Sequence, residues 1–301
     1  MKLAFSSVAC PGWDLPTMIE KAKAFGYDGI ELGGLDGDAN LPVGPDLADN
    51  PEKIVQLMRQ AKLELVCLAT DTAFHMPHAR EVAESQARVR KYIEFAAKLE
   101  CPFVRVFGAE IPSRPLLGIE QRETVLDRIA KAIRELVPCA VEHGVTILIE
   151  NGGDFADSPS IWHIVDVADS PAVRCCWNPL VAMTHHERPT RSVPRLGARL
   201  GLVRISDGKL GNTDTIGSYV LPGQGDVEIR TLVQILKGIA FRGHLVFDWP
   251  KTRNTMLADP DEALPAAAQY LRGLLDEETI PLTAYKTDKY KPRQGYEFAT
   301  S

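Results

Sequence analysis

The stretch Val145-Thr-Ile-Leu-Ile-Glu150-Asn151-Gly152-Gly153 indicates a buried strand that ends on a carboxylate. A helical pattern ends at Gly144, apolar and β-branched residues lead to Glu150, and a glycine turn follows. A carboxylate at the end of a buried strand is costly unless it meets a cation, a proton or a ligand. The segments Leu202–Asp207 and His244–Trp249 repeat this arrangement. Because a (β/α)8 barrel collects its functional side chains at the carboxyl ends of its strands, the three segments favour that fold.

Short apolar runs alternate with helical patterns along the chain, which is typical of parallel βα units. A doubly wound sheet is the alternative, but it usually carries a glycine-rich phosphate turn after its first strand, and Ala9–Asp14 lacks one. We therefore predict an α/β fold of the (β/α)8 TIM barrel type. Its eight strands are expected near Lys2–Ser6, Gly29–Leu32, Leu63–Ala69, Phe103–Phe107, Val145–Glu150, Val173–Trp177, Gly201–Ile205 and His244–Trp249.

The clearest predicted helix has Asp14 as its N-cap and ends at Gly26. Further helices are expected over Arg80–Leu99, Glu120–His143, Thr231–Ile239 and Glu262–Leu275.

No break in composition divides the chain, so we predict one barrel domain over residues 1–276 and a C-terminal extension over 277–301. The end of the extension is polar, basic and aromatic. Two interpretations carry equal weight: a frayed terminus, and an arm packed on its own barrel or on a second subunit. A homo-oligomer therefore stays open.

The composition excludes several classes of function. Of the 301 residues 45% are apolar and 25% charged, as in ordinary globular proteins, and the net charge of −6 argues against nucleic acid as a partner. No apolar run is long enough to span a membrane, and the N-terminus does not resemble a signal peptide, so we expect a cytoplasmic protein. The six cysteines lack CxxC spacing, and we expect buried, reduced thiols.

In a barrel, the strand ends bring their side chains to one bowl. Glu31 ends the second strand, and the candidates for catalysis are Glu150, Arg204 and Asp248 at later strands. The turn Gly223–Asp226 offers backbone N–H groups to an anion, although a lone glycine turn is a weak signal. Each candidate tryptophan is equally compatible with simple packing. The candidate substrate contacts are Trp13, Asp71, Arg105, Trp177, Asp207, Lys209, Trp249 and Lys251.

Seven segments form a set through their order and spacing: Tyr27–Leu32, Cys101–Gly108, Leu148–Asn151, Cys176–Pro179, Val203–Asp207, Pro222–Val227 and Phe241–Trp249. No single segment is decisive, but together they resemble the xylose isomerase-like barrel family of sugar phosphate isomerases and epimerases. The resemblance covers the chain from Leu3 to about Leu275.

The resemblance implies one divalent metal, Mn, Mg or Zn, held by Glu, Asp, His and Glu at the ends of strands five to eight, and no organic cofactor. Glu150 matches the first ligand, while Asn178 and Asp248 occupy the positions of the second and fourth. Arg204 occupies the position of the histidine. A guanidinium has no free lone pair and cannot bind a metal.

Three arrangements are compatible with this departure. Arg204 swings to bind a substrate phosphate or carboxylate; the metal is held elsewhere, for instance by His185 or His186; or Arg204 replaces the metal between Glu150 and Asp248. We favour the third, because two of the four positions have lost charge or coordinating ability, and a guanidinium fork pairs well with carboxylates.

These residues predict an isomerase or epimerase that removes a proton next to a carbonyl of a sugar-like substrate; a related lyase would use the same groups. Glu150 would be the base, Asp248 the acid or second base, and Arg204 the group that stabilises the enediolate. The alternative is a degenerate, metal-free barrel that binds a sugar-like ligand without turnover. A repair endonuclease is less compatible, because it needs many histidine ligands and the chain is acidic.

Overall fold

Eight parallel strands close into a barrel, which confirms the predicted fold class. The computed structural model describes residues 1–35, 47, 50–114, 118–212 and 215–280. The strands are β1 (Lys2–Ser6), β2 (Gly29–Leu35), β3 (Glu64–Ala73), β4 (Phe103–Phe107), β5 (Thr146–Glu150), β6 (Val173–Trp177), β7 (Leu200–Ile205) and β8 (His244–Phe247). They follow one another in sequence order around the ring, and β8 pairs with β1 through registers such as Phe5 opposite Phe247.

Helices lie outside the ring, between successive strands. In the described residues they are α1 (Leu15–Phe25), α2 (Pro51–Ala61), α3 (Ala79–Lys98), α4 (Arg122–Arg134), α5 (Val137–Glu142), α6 (Ser158–Ala168), α7 (Pro179–Met183), α8 (Pro189–Leu196), α9 (Ile229–Gly238) and α10 (Pro260–Asp276). No helix of this part of the chain is both long and apolar enough to cross a membrane.

Local sequence explains where helices begin and end. The Asp14 carboxylate accepts a hydrogen bond from the Thr17 N–H at 3.0 Å, and Gly26 ends α1 with a φ of +79°. The helix that we predicted over Glu120–His143 is instead two helices, α4 and α5. Pro138 explains the break, because it has no N–H to donate to the carbonyl of Arg134.

The barrel has an outer and an inner apolar layer. The outer layer joins the strands to the helices and contains most of the core. The inner layer fills the barrel interior with small and medium side chains from six of the eight strands. Its members are Ala4, Val66, Cys67, Ala69, Leu148, Cys176, Leu202 and Val246. All six cysteines are free, and five are buried, as the sequence predicted.

The first residues beyond α10 lie against α9. The Gln234 side chain donates to the carbonyl of Glu278 and accepts from the N–H of Ile280, and the Arg230 guanidinium pairs with Glu277 at 2.7 Å. The predicted extension therefore begins packed on the barrel. Residues 281–301 lie outside the described part of the chain, and the boundary at residue 276 stays a prediction.

Two glycines test the packing of this fold in opposite directions. A Cβ at Gly29 would lie 2.7 Å from the Glu64 carbonyl oxygen of the neighbouring strand, whereas a Cβ at Gly273, an exposed residue of α10, meets no atom within 4 Å. We expect Gly29→Ala to lower the free energy of unfolding by about 1–3 kcal/mol through overpacking. Gly273→Ala should raise it by about 0.5–1 kcal/mol, because it removes a helical glycine. Urea unfolding measures both, and equal effects of the two changes would contradict this packing.

Candidate active site

Arg204 lies at the centre of a buried group of charges at the carboxyl end of the barrel. Its Nη1 donates to Oε1 of Glu31 at 2.6 Å, and its Nη2 donates to Oδ1 of Asp248 at 2.6 Å. Its Nε lies 3.6 Å from Oε1 of Glu150. The three nitrogens of one guanidinium thus face three different carboxylates. These four residues, together with Arg105, are called the arginine–carboxylate cluster below.

The three carboxylates of the cluster come from different positions around the ring of strands. Glu31 lies in β2, Glu150 is the last residue of β5, and Asp248 directly follows β8. Side chains two residues apart in a strand point to the same face. Glu150, Arg204 and Asp248 lie two residues beyond Leu148, Leu202 and Val246 of the inner layer, and they therefore extend that layer towards the mouth with charged groups.

Arg105 completes the cluster beside Glu150. Its Nε lies 3.2 Å from Oε2 of Glu150, without hydrogen-bond geometry, and its guanidinium lies 4.0 Å from the centre of the Phe107 ring. Among the described residues, Nε and Nη1 of Arg105 and one oxygen each of Glu31 and Glu150 are buried without a hydrogen-bond partner. Because such groups are rare in folded proteins, they mark a place where a polar ligand can bind.

The cluster is closed at its base and opens at Asp248. The Glu31 side chain is 0% exposed, those of Arg204 and Glu150 are 4% exposed, and that of Asp248 is 16% exposed. Asp248 is therefore the carboxylate of the cluster that is most accessible to solvent.

Burial and neighbouring charges set the ionisation of the cluster. Burial raises the pKa of Glu150 above its ordinary value; Arg204 and Arg105 oppose this, and Asp248 and Glu31 add to it. Burial alone would lower the pKa of Arg204, but Asp248, Glu31 and Glu150 together raise it well above its ordinary value. Arg204 is therefore a permanent cation, whereas Glu150 holds a proton more tightly than an exposed glutamate does.

The side chains at the expected metal position do not fit a divalent ion. The Asn178 side-chain oxygen accepts from the Val181 N–H at 3.4 Å and caps α7. Arg204 occupies the space between the carboxylates and has no lone pair to offer. A divalent ion about 4 Å from a guanidinium would be repelled by about 8 kcal/mol at an effective dielectric of about 20, twice the value for two unit charges.

An alternative metal site is likewise not present among the described side chains. No group of three or more His, Cys, Asp or Glu residues within the described ranges is placed to hold a metal ion. The expected set of Glu150, Asn178 and Asp248 therefore does not form a metal centre in this structure. His185 is exposed after α7, where its Nδ1 contacts the Thr184 hydroxyl at 3.1 Å.

Four other predicted contacts form pairs of their own. Asp71 pairs with Arg253 at 3.1 Å, and Lys209 pairs with Asp226 at 2.9 Å in an exposed position. The Lys251 ammonium donates to two carbonyls of its own loop and pairs with Asp259 at 2.9 Å. The Lys21 ammonium lies 5.5 Å from the centre of the Trp13 ring. These interactions compete with any contact to a substrate.

Asp207, predicted as a substrate contact, has a structural function in the loop that follows β7. Its fully buried carboxylate accepts hydrogen bonds from four backbone N–H groups, those of Gly208, Gly223, Gly225 and Val227, at 2.8–3.2 Å. The glycine turn therefore does bind an anion, but the anion is the chain's own carboxylate. The Asp207 carboxylate is therefore occupied by the chain's own backbone.

Trp177 and Trp249 also differ from the expectation. Both belong to the outer apolar layer and are at most 2% exposed, and the Trp249 indole N–H donates to the Ala258 carbonyl at 3.0 Å. They pack strands against helices and do not form a wall for a sugar. Successive side chains of a strand point to opposite faces. Trp177 and Trp249 each follow a residue that points into the barrel, so their own side chains point outwards.

The sequence-based selection of site residues missed Glu31. The residue was recognised as the end of the second strand, but not as a partner of Arg204, which lies 173 positions further along the chain. One signal was available: Glu31 is a carboxylate in an otherwise apolar buried strand, as Glu150 is.

Comparisons with known proteins agree with the barrel fold. The family model of the xylose isomerase-like TIM barrel matches residues 19–274, which confirms the resemblance seen in the sequence. A search of curated proteins finds no match. Among the similar solved structures, each of which matches 91% of this chain, is the IolI protein with a bound zinc atom, with 16% sequence identity, a TM-score of 0.77 and 98% of that chain covered. D-allulose 3-epimerase from Methylomonas sp. has 18% identity and a TM-score of 0.71, with 98% of that chain covered. A D-tagatose 3-epimerase-like protein has 20% identity and a TM-score of 0.71, with 97% of that chain covered. At these identities the likeness shows the fold.

The Asp207 loop gives a stability prediction. Asp207→Ala removes the acceptor of four backbone N–H groups, and we expect it to lower the free energy of unfolding by about 3 kcal/mol. Asp207→Asn keeps one oxygen and should lose less. Lys209→Ala, which breaks an exposed pair in the same loop, should change the value by less than about 0.5 kcal/mol. Urea unfolding measures all three, and similar values for Asp207→Ala and Lys209→Ala would refute the assignment.

Proposed function

Because the chain belongs to the xylose isomerase-like TIM barrel family, we propose that it is a sugar isomerase or epimerase that removes a proton next to a carbonyl group. The observation that carries the proposal is Glu150, a buried carboxyl with a raised pKa and one oxygen free of hydrogen bonds, beside two guanidinium groups. The names of similar structures, D-allulose 3-epimerase and L-ribulose 3-epimerase, add support from proteins of the same fold.

Glu150 acts as the base in this proposal. Its free oxygen, Oε2, takes the proton from the carbon next to the substrate carbonyl, and the electron pair of the C–H bond moves towards the carbonyl oxygen. A carboxyl buried among apolar strand residues is a stronger base than one in water, because its pKa is raised. Once it has taken the proton, Glu150 is a neutral carboxylic acid that can return the proton to the substrate.

Arg105 is suited to stabilise the negative charge that develops on the carbonyl oxygen. It lies beside Glu150, and its Nε and Nη1 are buried donors without an acceptor among the described residues. Fixed donors in a dry site stabilise an oxyanion strongly, since they need little reorganisation. Arg204 adds positive charge from the other side of Glu150, although its two terminal nitrogens are already bound to Glu31 and Asp248.

Asp248 is the second proton-transfer group. It follows β8, is the most exposed carboxylate of the cluster, and is joined to Glu150 through the Arg204 guanidinium. In an epimerase it would deliver a proton to the face of the carbon opposite Glu150; in an isomerase it would move the proton between oxygens. Of the predicted substrate contacts, Arg105 is the one that the geometry supports best.

The alternative function, ligand binding without turnover, is favoured by one observation: Arg204 occupies the position at which the resemblance implies a histidine ligand to a metal. The variant Glu150→Gln distinguishes the two functions. It keeps the shape of the side chain but cannot accept a proton.

We expect Glu150→Gln to reduce turnover by about 10²- to 10⁴-fold, the usual contribution of a general base. Ligand binding should change much less. The assay is NMR-detected exchange of substrate hydrogen in D2O over a panel of ketopentoses, ketohexoses and their phosphates, with calorimetry for binding. Glu64→Gln, at the opposite end of the barrel, is the matched control and should keep turnover. Full activity in Glu150→Gln contradicts the proposal, and binding without turnover in the unchanged protein supports the alternative.

The raised pKa of Glu150 predicts the pH dependence. The base must be ionised, so kcat/KM should rise with pH through an ionisation above 4.5, the ordinary value for glutamate. Arg105 lowers this pKa, so Arg105→Met should move the rise to still higher pH. Steady-state profiles of both proteins test this. A rise at or below 4.5, or a shift to lower pH in the variant, would show that Glu150 is not the titrating base.

A further inference from the structure

We infer that Arg204 is a built-in replacement for the divalent cation of this fold, and that the site neither needs nor accepts a metal. The inference deepens the proposed function and rests on it for the identity of the site. Its experiment measures metal binding and not turnover, so the two can fail separately.

The arrangement of the guanidinium nitrogens carries the inference. Nη1 and Nη2 each lie 2.6 Å from a carboxylate oxygen, and Nε lies 3.6 Å from a third carboxylate. These carboxylates come from β2, β5 and β8, which are spread around the ring. One planar cation therefore makes contacts with carboxylates from three separate parts of the ring, as a metal ion bound by those carboxylates would.

Burial fixes Arg204 in this position. Its side chain is 4% exposed, and the side chains of Glu31 and Glu150 are buried as well. If the arginine swung out to bind a substrate anion, three carboxylates would face one another without their central cation. Buried like charges are strongly disfavoured, so this movement is opposed by the cluster itself.

The ligand chemistry gives a second, independent reason. An arginine supplies five N–H donors and no lone pair. Asn178 uses its oxygen to cap α7, and within the described ranges no other cluster of ligand side chains is suitable for an ion. A metal would therefore have to displace a charged arginine from its partners, with no histidine at that position to bind it.

The first arm of the test uses the unchanged full-length protein. It is incubated with Mn²⁺ or Zn²⁺, desalted and analysed by mass spectrometry for metal per chain, with melting temperatures measured in Mn²⁺ and in EDTA. We expect far less than one ion per chain and the same melting temperature in both. Bound metal that is retained by Glu150→Gln lies elsewhere and agrees with the inference. One ion per chain that is lost in Glu150→Gln overturns it.

The second arm changes the cation. Arg204→His supplies an imidazole between Glu150 and Asp248, and we expect it to gain about one Zn²⁺ or Mn²⁺ per chain. Saturating metal should then raise its melting temperature by about 5 °C or more. Arg204→Lys keeps a positive charge and should still exclude metal. If Arg204→Lys binds metal as well as Arg204→His does, the charge of Arg204 is not what excludes the ion, and the inference fails. The first arm decides the question even if Arg204→His does not fold.

Discussion

The mouth of the barrel depends on one constraint: three carboxylates carried by different strands or the residue that follows one need a cation among them. Taking a carboxylate out of water costs several kcal/mol, and removing one partner of a buried ion pair is more harmful than replacing the whole pair. Arg204 meets this demand for Glu31, Glu150 and Asp248 at once. Arg105 adds a second positive charge beside Glu150. Three negative and two positive groups leave the cluster close to neutral, and protonation of Glu150 would complete the balance.

Strand parity separates the catalytic candidates from the residues that build the loops. Positions of inward parity extend the inner apolar layer and present Arg105, Glu150, Arg204 and Asp248 to the mouth. Residues of the other parity turn outwards. Trp177 and Trp249 pack into the outer layer. Asp207 fixes the loop after β7 by accepting hydrogen bonds from its backbone N–H groups. Both kinds of residue are needed, because a buried charge can be held in one geometry only if the surrounding loops are fixed.

Much of the fold followed from sequence, since each strand carries local signals: β-branched runs, flanking glycines and a polar residue at the end. All eight strands lie where they were expected, with small differences in length. The local features that were missed include the break at Pro138 and the hairpin of Asp207–Leu210 with Ile216–Val220. The first was visible as a proline within the pattern, whereas the second depends on pairing that no short segment specifies.

The site was harder to predict, because its contacts join residues that are distant in sequence. Sequence placed Glu150, Arg204 and Asp248 at strand ends, but it did not reveal that Glu31 would reach the same guanidinium. It also could not tell that Lys209 and Lys251 would be bound by Asp226 and Asp259. Counting parity from the inner layer would have removed Trp177 and Trp249 from the candidates. No comparable sequence pattern shows which surface lysine will pair with which carboxylate.

A guanidinium and a divalent metal stabilise an enediolate by different means, and the difference shapes the chemistry open to this site. A metal polarises a carbonyl oxygen as a Lewis acid and lowers the pKa of bound water. Arginine supplies one charge and directional N–H donors, and its charge does not vary with pH or metal supply. Nη1 and Nη2 of Arg204 are bound to Glu31 and Asp248, and its Nε, although without a hydrogen bond, faces Glu150 at 3.6 Å. Arg105 has two such donors, Nε and Nη1, and neither terminal nitrogen of Arg105 is bound to Glu31 or Asp248. Arg204 therefore acts mainly by holding the carboxylates in place, and the stabilisation of the oxyanion falls to Arg105. Both guanidiniums lie beside Glu150, the group that would start the reaction by removing the proton.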